Sequence, residues 1–250
     1  MADQEQDLLF IDLPVSGRIP VRLIREVRSS IRASVGKKYL IFRRPRRTYP
    51  GQESKHWQWF MDWARQIDAQ NNGRQLAHLR QKDYSSGYTV QTTRHTYRLE
   101  LQTEYRKTAA GRIAPDKTLR LTIPESLSEH QRNAAIKTLL SRCIGEDQLP
   151  WVSQRVHHLN DRHFQQTIGR IRLKYNHSNW GSCSRTGNIN LSTRLLFAPE
   201  YVVDYVIIHE LAHRVEFNHS PKFWRLVGQA MPEYAKAEHW LKRYYDQCDF

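Results

Sequence analysis

The chain has 250 residues, 39% of them hydrophobic, and 39 Lys and Arg against 25 Asp and Glu give a formal net charge of +14. That is enough apolar material to bury a core, as one domain or as two closely packed lobes, and it excludes overall disorder. Three scattered cysteines, Cys143, Cys183 and Cys248, exclude a disulfide framework and a paired-cysteine metal site, and no stretch approaches the ~18 apolar residues of a membrane span.

Met1 to Asp7 is acidic and polar and has neither the basic nor the apolar region of a signal peptide, so a cytoplasmic protein is the default expectation. Strands are expected at Leu8–Asp12, Val21–Val27 and Ile31–Phe42. The residues from Arg18 to Arg47 include eleven Lys or Arg and one acid, Glu26, so this segment carries +10 of the net charge. Alternation such as Val21-Arg22-Leu23 suggests strands with one basic face, a footprint for phosphates. Arg43, Arg44, Arg46 and Arg47 are the candidate nucleic-acid contacts of the basic segment 18–47, and a solvated surface is the alternative.

Pro50 to Gln70 reads as an amphipathic helix. Its Trp59, Phe60, Trp63, Ala64 and Ile67 recur near helical spacing as a core stripe, and Asn71-Asn72-Gly73 is its expected end. Strands follow at Thr89–Tyr105 and Leu119–Ile123, joined through Gly111. After the break at Pro124, Ser128 caps a helix expected through Cys143. Leu149 to His163 reads as another helix, with His157, His158 and His163 in surface roles, and Ile168–Tyr175 as a strand. Trp180 to Leu196 reads as a hairpin turning at Arg185-Thr186-Gly187-Asn188, an edge on which an extended peptide could pair. Cys183 within it is a small core thiol before it is a nucleophile.

The chemistry concentrates at His209-Glu210-Leu211-Ala212-His213, followed by His219. Four residues apart on a helix, His209 and His213 share a face and can close on one zinc ion, with Glu210 beside them as general base. Six further residues of unbroken helix would turn His219 away by about 240°. The helix must therefore end first, and Asn218 in a left-handed conformation, then Ser220-Pro221 as the cap and first residue of a new helix, supply the ending. Glu233 or Glu238 is the competing third ligand. Val206, Ile207, Ile208, Leu211 and Ala212 mark a largely buried helix, which does not bury two His and a Glu without partners. Tyr205 and Tyr234 are candidate second-layer or oxyanion-stabilising groups, with His239 and Asn179 behind them.

Trp180-Gly181-Ser182-Cys183-Ser184, Tyr205-Val206-Ile207-Ile208-His209-Glu210-Leu211-Ala212-His213, and Asn218-His219-Ser220 with Phe223-Trp224 together resemble the YgjP-like metallopeptidase domain, a relative of the SprT-like and WLM zinc peptidases. Val21 to Pro45 and Trp57 to Trp63 look like that family's first β-region and helix. The resemblance implies a zinc peptidase with ligands at His209, His213 and His219 and a catalytic Glu210. Glu216 stands where metzincins carry a turn glycine, so the chain departs from that group.

The expected fold class is α+β. A basic β-rich N-terminal region with one amphipathic helix, residues 1–123, precedes a zincin-like catalytic lobe, residues 124–250, with a small antiparallel sheet and the HExxH helix. The expected function is a zinc metallopeptidase with one zinc per chain. It would act on protein or peptide substrates, and on nucleic-acid-associated proteins by analogy with its relatives and by charge. The alternatives are a nucleic-acid-binding protein with a structural metal site, or another zinc-dependent amide or ester hydrolase.

Overall fold

The computed structural model describes residues 8–36, 38–80, 82, 84–245 and 247–250; the acidic segment Met1 to Asp7 lies outside them. The chain forms two compact units that divide at 83/84. The division is not at 123/124, because Leu119, Leu121 and Ile123, just before that point, share one core with Ile136, Leu140 and Ile207 after it.

In the first unit β1 (Leu8–Leu13), β2 (Gly17–Glu26), β3 (Arg32–Val35) and β4 (Leu40–Pro45) form a sheet of order β1-β2-β4-β3, in which β2 and β4 run parallel. The single strand expected over 31–42 is thus two. Gly36 donates to the Tyr39 carbonyl at 3.0 Å, and a Cβ there would lie 2.7 Å from that oxygen, so the chain reverses where only glycine fits. Helix α1 (Gln52–Ala69) buries Phe60 and Ala64 against this sheet, with the Phe60 ring stacked 4.6 Å from Phe42. Helix α1 ends at Ala69 with Gln70 extended, close to the expected end, and Asn72 and Gly73 take positive φ within a separate 3-10 segment over Gln70–Leu79. The basic segment is partly spent on ion pairs. Arg44, only 8% exposed, lies 3.3 Å from Glu53, and Arg43 lies 3.6 Å from Glu26, whereas Arg46 and Arg47 are exposed.

The second unit opens with β5 (Thr89–Gln91), β6 (Thr96–Glu104), β7 (Ala110–Ile113) and β8 (Thr118–Pro124), in the order β5-β6-β8-β7 with β6 and β8 parallel. The strand expected over 89–105 breaks where Thr92 bonds to His95 through both backbone and hydroxyl. Gly111 is no turn: it sits within β7 opposite Leu121, whose side chain occupies the space a Cβ would need. The two helices expected after Pro124 are one, α2 (Glu129–His163), opened by a capping box between Ser128 and Gln131. Pro150 does not break it, since Ile136, Leu140, Ile144, Val152 and Val156 carry one buried face across the proline. Tertiary packing outweighs the local cost of the lost hydrogen bond.

A three-stranded sheet follows, built from β9 (Ile171–Lys174), β10 (Gly181–Cys183) and β11 (Ile189–Ser192) in the order β10-β11-β9. β10 and β11 form the expected hairpin, but β9 runs parallel to β11, so the sheet is mixed and not antiparallel. β11 is the central strand, and its Ile189 and Leu191 face the core. A 3-10 turn (Thr193–Phe197) then leads to α3 (Glu200–Ala212), α4 (Pro221–Ala230) and α5 (Tyr234–Tyr244). Among the described residues no helix is long and apolar enough to cross a membrane.

Helix α3 is held to α2 by a two-pronged ion pair, in which Arg155 Nε and Nη2 donate to Asp204 Oδ1 and Oδ2 at 2.5 and 2.6 Å. Paired, bidentate contacts of this kind are the strong ones. Replacing Asp204 by Ala is expected to lower unfolding stability by about 1–2 kcal/mol in urea titrations.

Candidate functional site

The histidines converge because α3 stops. His213 is the C-terminal cap of α3, and Arg214, Val215 and Glu216 turn back onto the carbonyls of Leu211 and Ala212. Asn218 does not adopt the left-handed conformation expected of it; the tight turn from 213 to 216 does the work instead. Ser220 then caps α4, accepting the Phe223 N–H at 3.4 Å, with Pro221 at the first helical position as expected. His219, between the two helices, faces back toward α3.

One ring nitrogen each from His209, His213 and His219 lie within 4.8 Å of one another, and Nε2 of His209 and Nε2 of His219 are 3.1 Å apart. Two nitrogens bound tetrahedrally to zinc at ordinary bond lengths stand about 3.3 Å apart, close to the separation of the His209 and His219 pair. His213 Nδ1 lies 3.2 Å from the Glu216 carbonyl, which fixes the ring and leaves Nε2 with a free lone pair. Burial, and then the neighbouring His213 and His219, push the His209 imidazole down to about 4, toward the neutral form that ligates metal. Phe223, fully buried, forms the apolar floor, its ring centroid 4.6, 4.8 and 4.9 Å from those of His213, His219 and His209.

Glu210 is 5% exposed, and burial pushes its carboxyl up to about 7. Its carboxyl lies against the backbone of β10: a Cβ on Gly181 would fall 2.6 Å from Oε1, 2.8 Å from Cγ and 2.9 Å from Cδ. Gly181 is therefore required by the close approach of α3 to β10. Arg214 ties the same two elements, donating from Nη1 to the carbonyls of Ser184 and Arg185 at 3.3 and 2.6 Å. Beside Glu210 opens a cavity of about 630 Å³, whose lining includes Asn179, Trp180, Tyr205, His209 and Glu238. Arg194, 6% exposed, braces its wall by donating to the carbonyls of Cys248, His177 and Tyr245 while its guanidinium lies 4.7 Å from the Trp180 ring centre.

The other sequence candidates fall out unevenly. Tyr205 lines the cavity together with Glu238, and burial, then the Glu238 carboxylate, push the pKa of its hydroxyl up. Tyr234 stacks between Tyr205 and Trp224, at 6.3 and 5.6 Å, and is not among the cavity's lining residues. Asn179 lines the cavity and donates to the Gly181 carbonyl at 3.1 Å, whereas His239 is exposed and does not line it. Of the rival carboxylates, Glu233 lies 2.5 Å from Lys236 and Glu238 lines the cavity, and neither joins the histidine group. His157 and His158 are exposed on α2. Burial, and then Glu210, push the Cys183 thiol up to about 11, away from the reactive thiolate. Sequence reading missed Gly181, Arg194, Arg214 and Phe223 as parts of the site. Only the glycine beside Trp180, in a segment rich in side chains able to hydrogen-bond, carried a signal that could have found one of them.

Residues 54–244 match the family described as YgjP-like, metallopeptidase domain. No curated protein matches the chain. Among solved structures, the metallopeptidase zymogen of Pyrococcus abyssi abylysin is 26% identical over 37% of this chain and 93% of its own, with a TM-score of 0.34. The metallopeptidase zymogen of Methanocaldococcus jannaschii jannalysin is 21% identical over 37% of this chain and 94% of its own, with a TM-score of 0.33.

The Gly181 contact gives a direct test of the site's geometry. Gly181→Ala must displace the Glu210 carboxyl and is expected to cut peptidase activity on the order of a hundredfold. Bound metal, measured by mass spectrometry, is expected to stay at the wild-type level.

Proposed function

The chain belongs to the YgjP-like metallopeptidase family, and from that premise we propose that it is a zinc-dependent peptidase of the HExxH-x5-H type. The observation that carries the reading is the convergence of the His209, His213 and His219 ring nitrogens beside a buried carboxyl. Those three side chains hold one zinc ion and Glu210 is the general base. When bound, zinc supplies a Lewis acid that acidifies water and polarises a scissile carbonyl. Glu210, confined by Gly181, takes the proton of the attacking water and delivers it to the departing amine nitrogen. The cavity beside it receives a substrate side chain, and the free edge of β10 aligns the peptide backbone by strand pairing. Tyr205 and Glu238 both line that cavity, and Tyr205 is the candidate for stabilising the oxyanion. Tyr234 acts only through its stacking on Tyr205.

Three free cysteines suit a reducing compartment, which keeps the cytoplasm as our assignment. Cleavage of nucleic-acid-associated proteins rests on the basic segment alone. With Arg43 and Arg44 engaged by acids, Arg46 and Arg47 are the exposed residues through which it would act.

Metal analysis and activity separate the roles. Wild type purified without chelators is expected to carry about one zinc per chain and His219→Ala to lose most of it, because a third protein ligand is removed. Glu210→Gln is expected to keep the metal and to lose hydrolysis of a peptide library by about 10²–10⁴-fold. Full activity in Glu210→Gln would overturn the assignment of the base, and a metal-free wild type after zinc reconstitution would overturn the site.

A further inference from the structure

Strand β9 and the residue just before it carry three cations on alternate positions. Arg170, Arg172 and Lys174 project to the face of the mixed sheet opposite the core, since the residues between them, Ile171 and Leu173, pack inward. All three are exposed, and none has an acidic partner among the described residues. They line a cleft of about 650 Å³ with Ser184, Asn188 and Asn190, and no acid or aromatic ring is in its lining. Asn190 sits in register between Arg172 on β9 and Ser182 on β10, so the cationic row continues as a polar row to the edge strand that holds Gly181 against Glu210.

We propose that this outer face is a docking surface for an acidic segment of the substrate polypeptide, engaged while the scissile bond lies at the zinc site. The inference rests on the peptidase reading of that site and adds the class of substrate it prefers. Charge complementarity selects the occupant. An extended chain with Asp or Glu at every second residue repeats its carboxylates about every 6.6 Å, the spacing of the three cations along β9. The neighbouring amides and hydroxyls supply partners for its backbone. Single-stranded nucleic acid fits less well, because the cleft offers no aromatic platform for bases, and a duplex draws on a wider basic surface of roughly 6–10 phosphate contacts.

The test uses the full chain, loaded with zinc and carrying Glu210→Gln so that nothing is cleaved. Fluorescence anisotropy would follow a fluorescein-labelled peptide with a Glu-Ser-Glu-Ser-Glu tract, its Gln-for-Glu counterpart, a labelled oligothymidylate and a short labelled duplex DNA. The Glu peptide is expected to bind about tenfold or more tighter than the Gln peptide at low salt. That advantage should vanish in Arg170→Gln/Arg172→Gln/Lys174→Gln and persist in Arg46→Gln/Arg47→Gln. Should the triple variant fail to fold by circular dichroism, Arg172→Glu alone is expected to weaken the Glu peptide and spare the Gln peptide. Equal affinity for the two peptides, unchanged binding by the β9 variants, or β9-dependent binding of DNA in preference to the Glu peptide would each overturn the proposal. In the cleaving enzyme, fusing the tract to a cleaved peptide is expected to lower KM with kcat unchanged, an effect lost in the β9 triple variant. Tight β9-dependent binding by a protein that cleaves nothing would leave the surface standing and remove the peptidase reading.

Discussion

The apposition of Glu210 on α3 and Gly181 on β10 is the constraint around which the second unit is arranged. With no Cβ at Gly181, the strand backbone comes close enough to wall in a carboxyl that is 5% exposed. Burial at that point raises the cost of ionisation and pushes the carboxyl up to about 7. Arg214 locks the hairpin turn to the end of the same helix, and the Arg155–Asp204 pair fixes the opposite face of the helix to α2. The position of one side chain is thereby tied to three elements that are distant in sequence.

The histidine group shows the same economy of support. His209 and His213 need only helical spacing, whereas His219 depends on a turn that brings the chain back over the helix end. Phe223, on the first turn of α4, contacts all three rings and excludes water from beneath them. A dry floor of this kind limits the rotation of the rings and strengthens the polar contacts they make. The stack of Tyr205, Tyr234 and Trp224 extends this apolar wall toward the cavity.

Charge is distributed differently from what composition alone suggests. The segment from Arg18 to Arg47 dominates the net charge, yet Arg43 and Arg44 face Glu26 and Glu53 and Arg22 donates to the Tyr39 hydroxyl at 2.7 Å. Arg170, Arg172 and Lys174 contribute little to the total, but no acid is among the lining residues of their cleft, and their alternate spacing aligns them on one face. Unopposed and aligned charge makes a stronger field than a larger number of paired ones.

The sequence alone determined the elements whose signals are local. The HExxH spacing, the hydrophobic residues around it, the Ser220-Pro221 start of α4, the Ser128 cap and the Phe60–Ala64 stripe of α1 are written within a few residues each, and the structure has them all. What only the tertiary structure decided depends on partners far along the chain. Pro150 lies inside one long helix because a continuous core holds both of its sides, and β9 runs parallel to β11 with Ile171 and Leu173 packed on the same core as Ile189 and Leu191. Gly111 sits in a strand and not in a turn, and at Gly111 and Gly181 the side chains of Leu121 and Glu210 occupy the space where a Cβ atom would be. Local propensity records what a residue can do by itself; which neighbour fills the space beside it is set only when the layers pack.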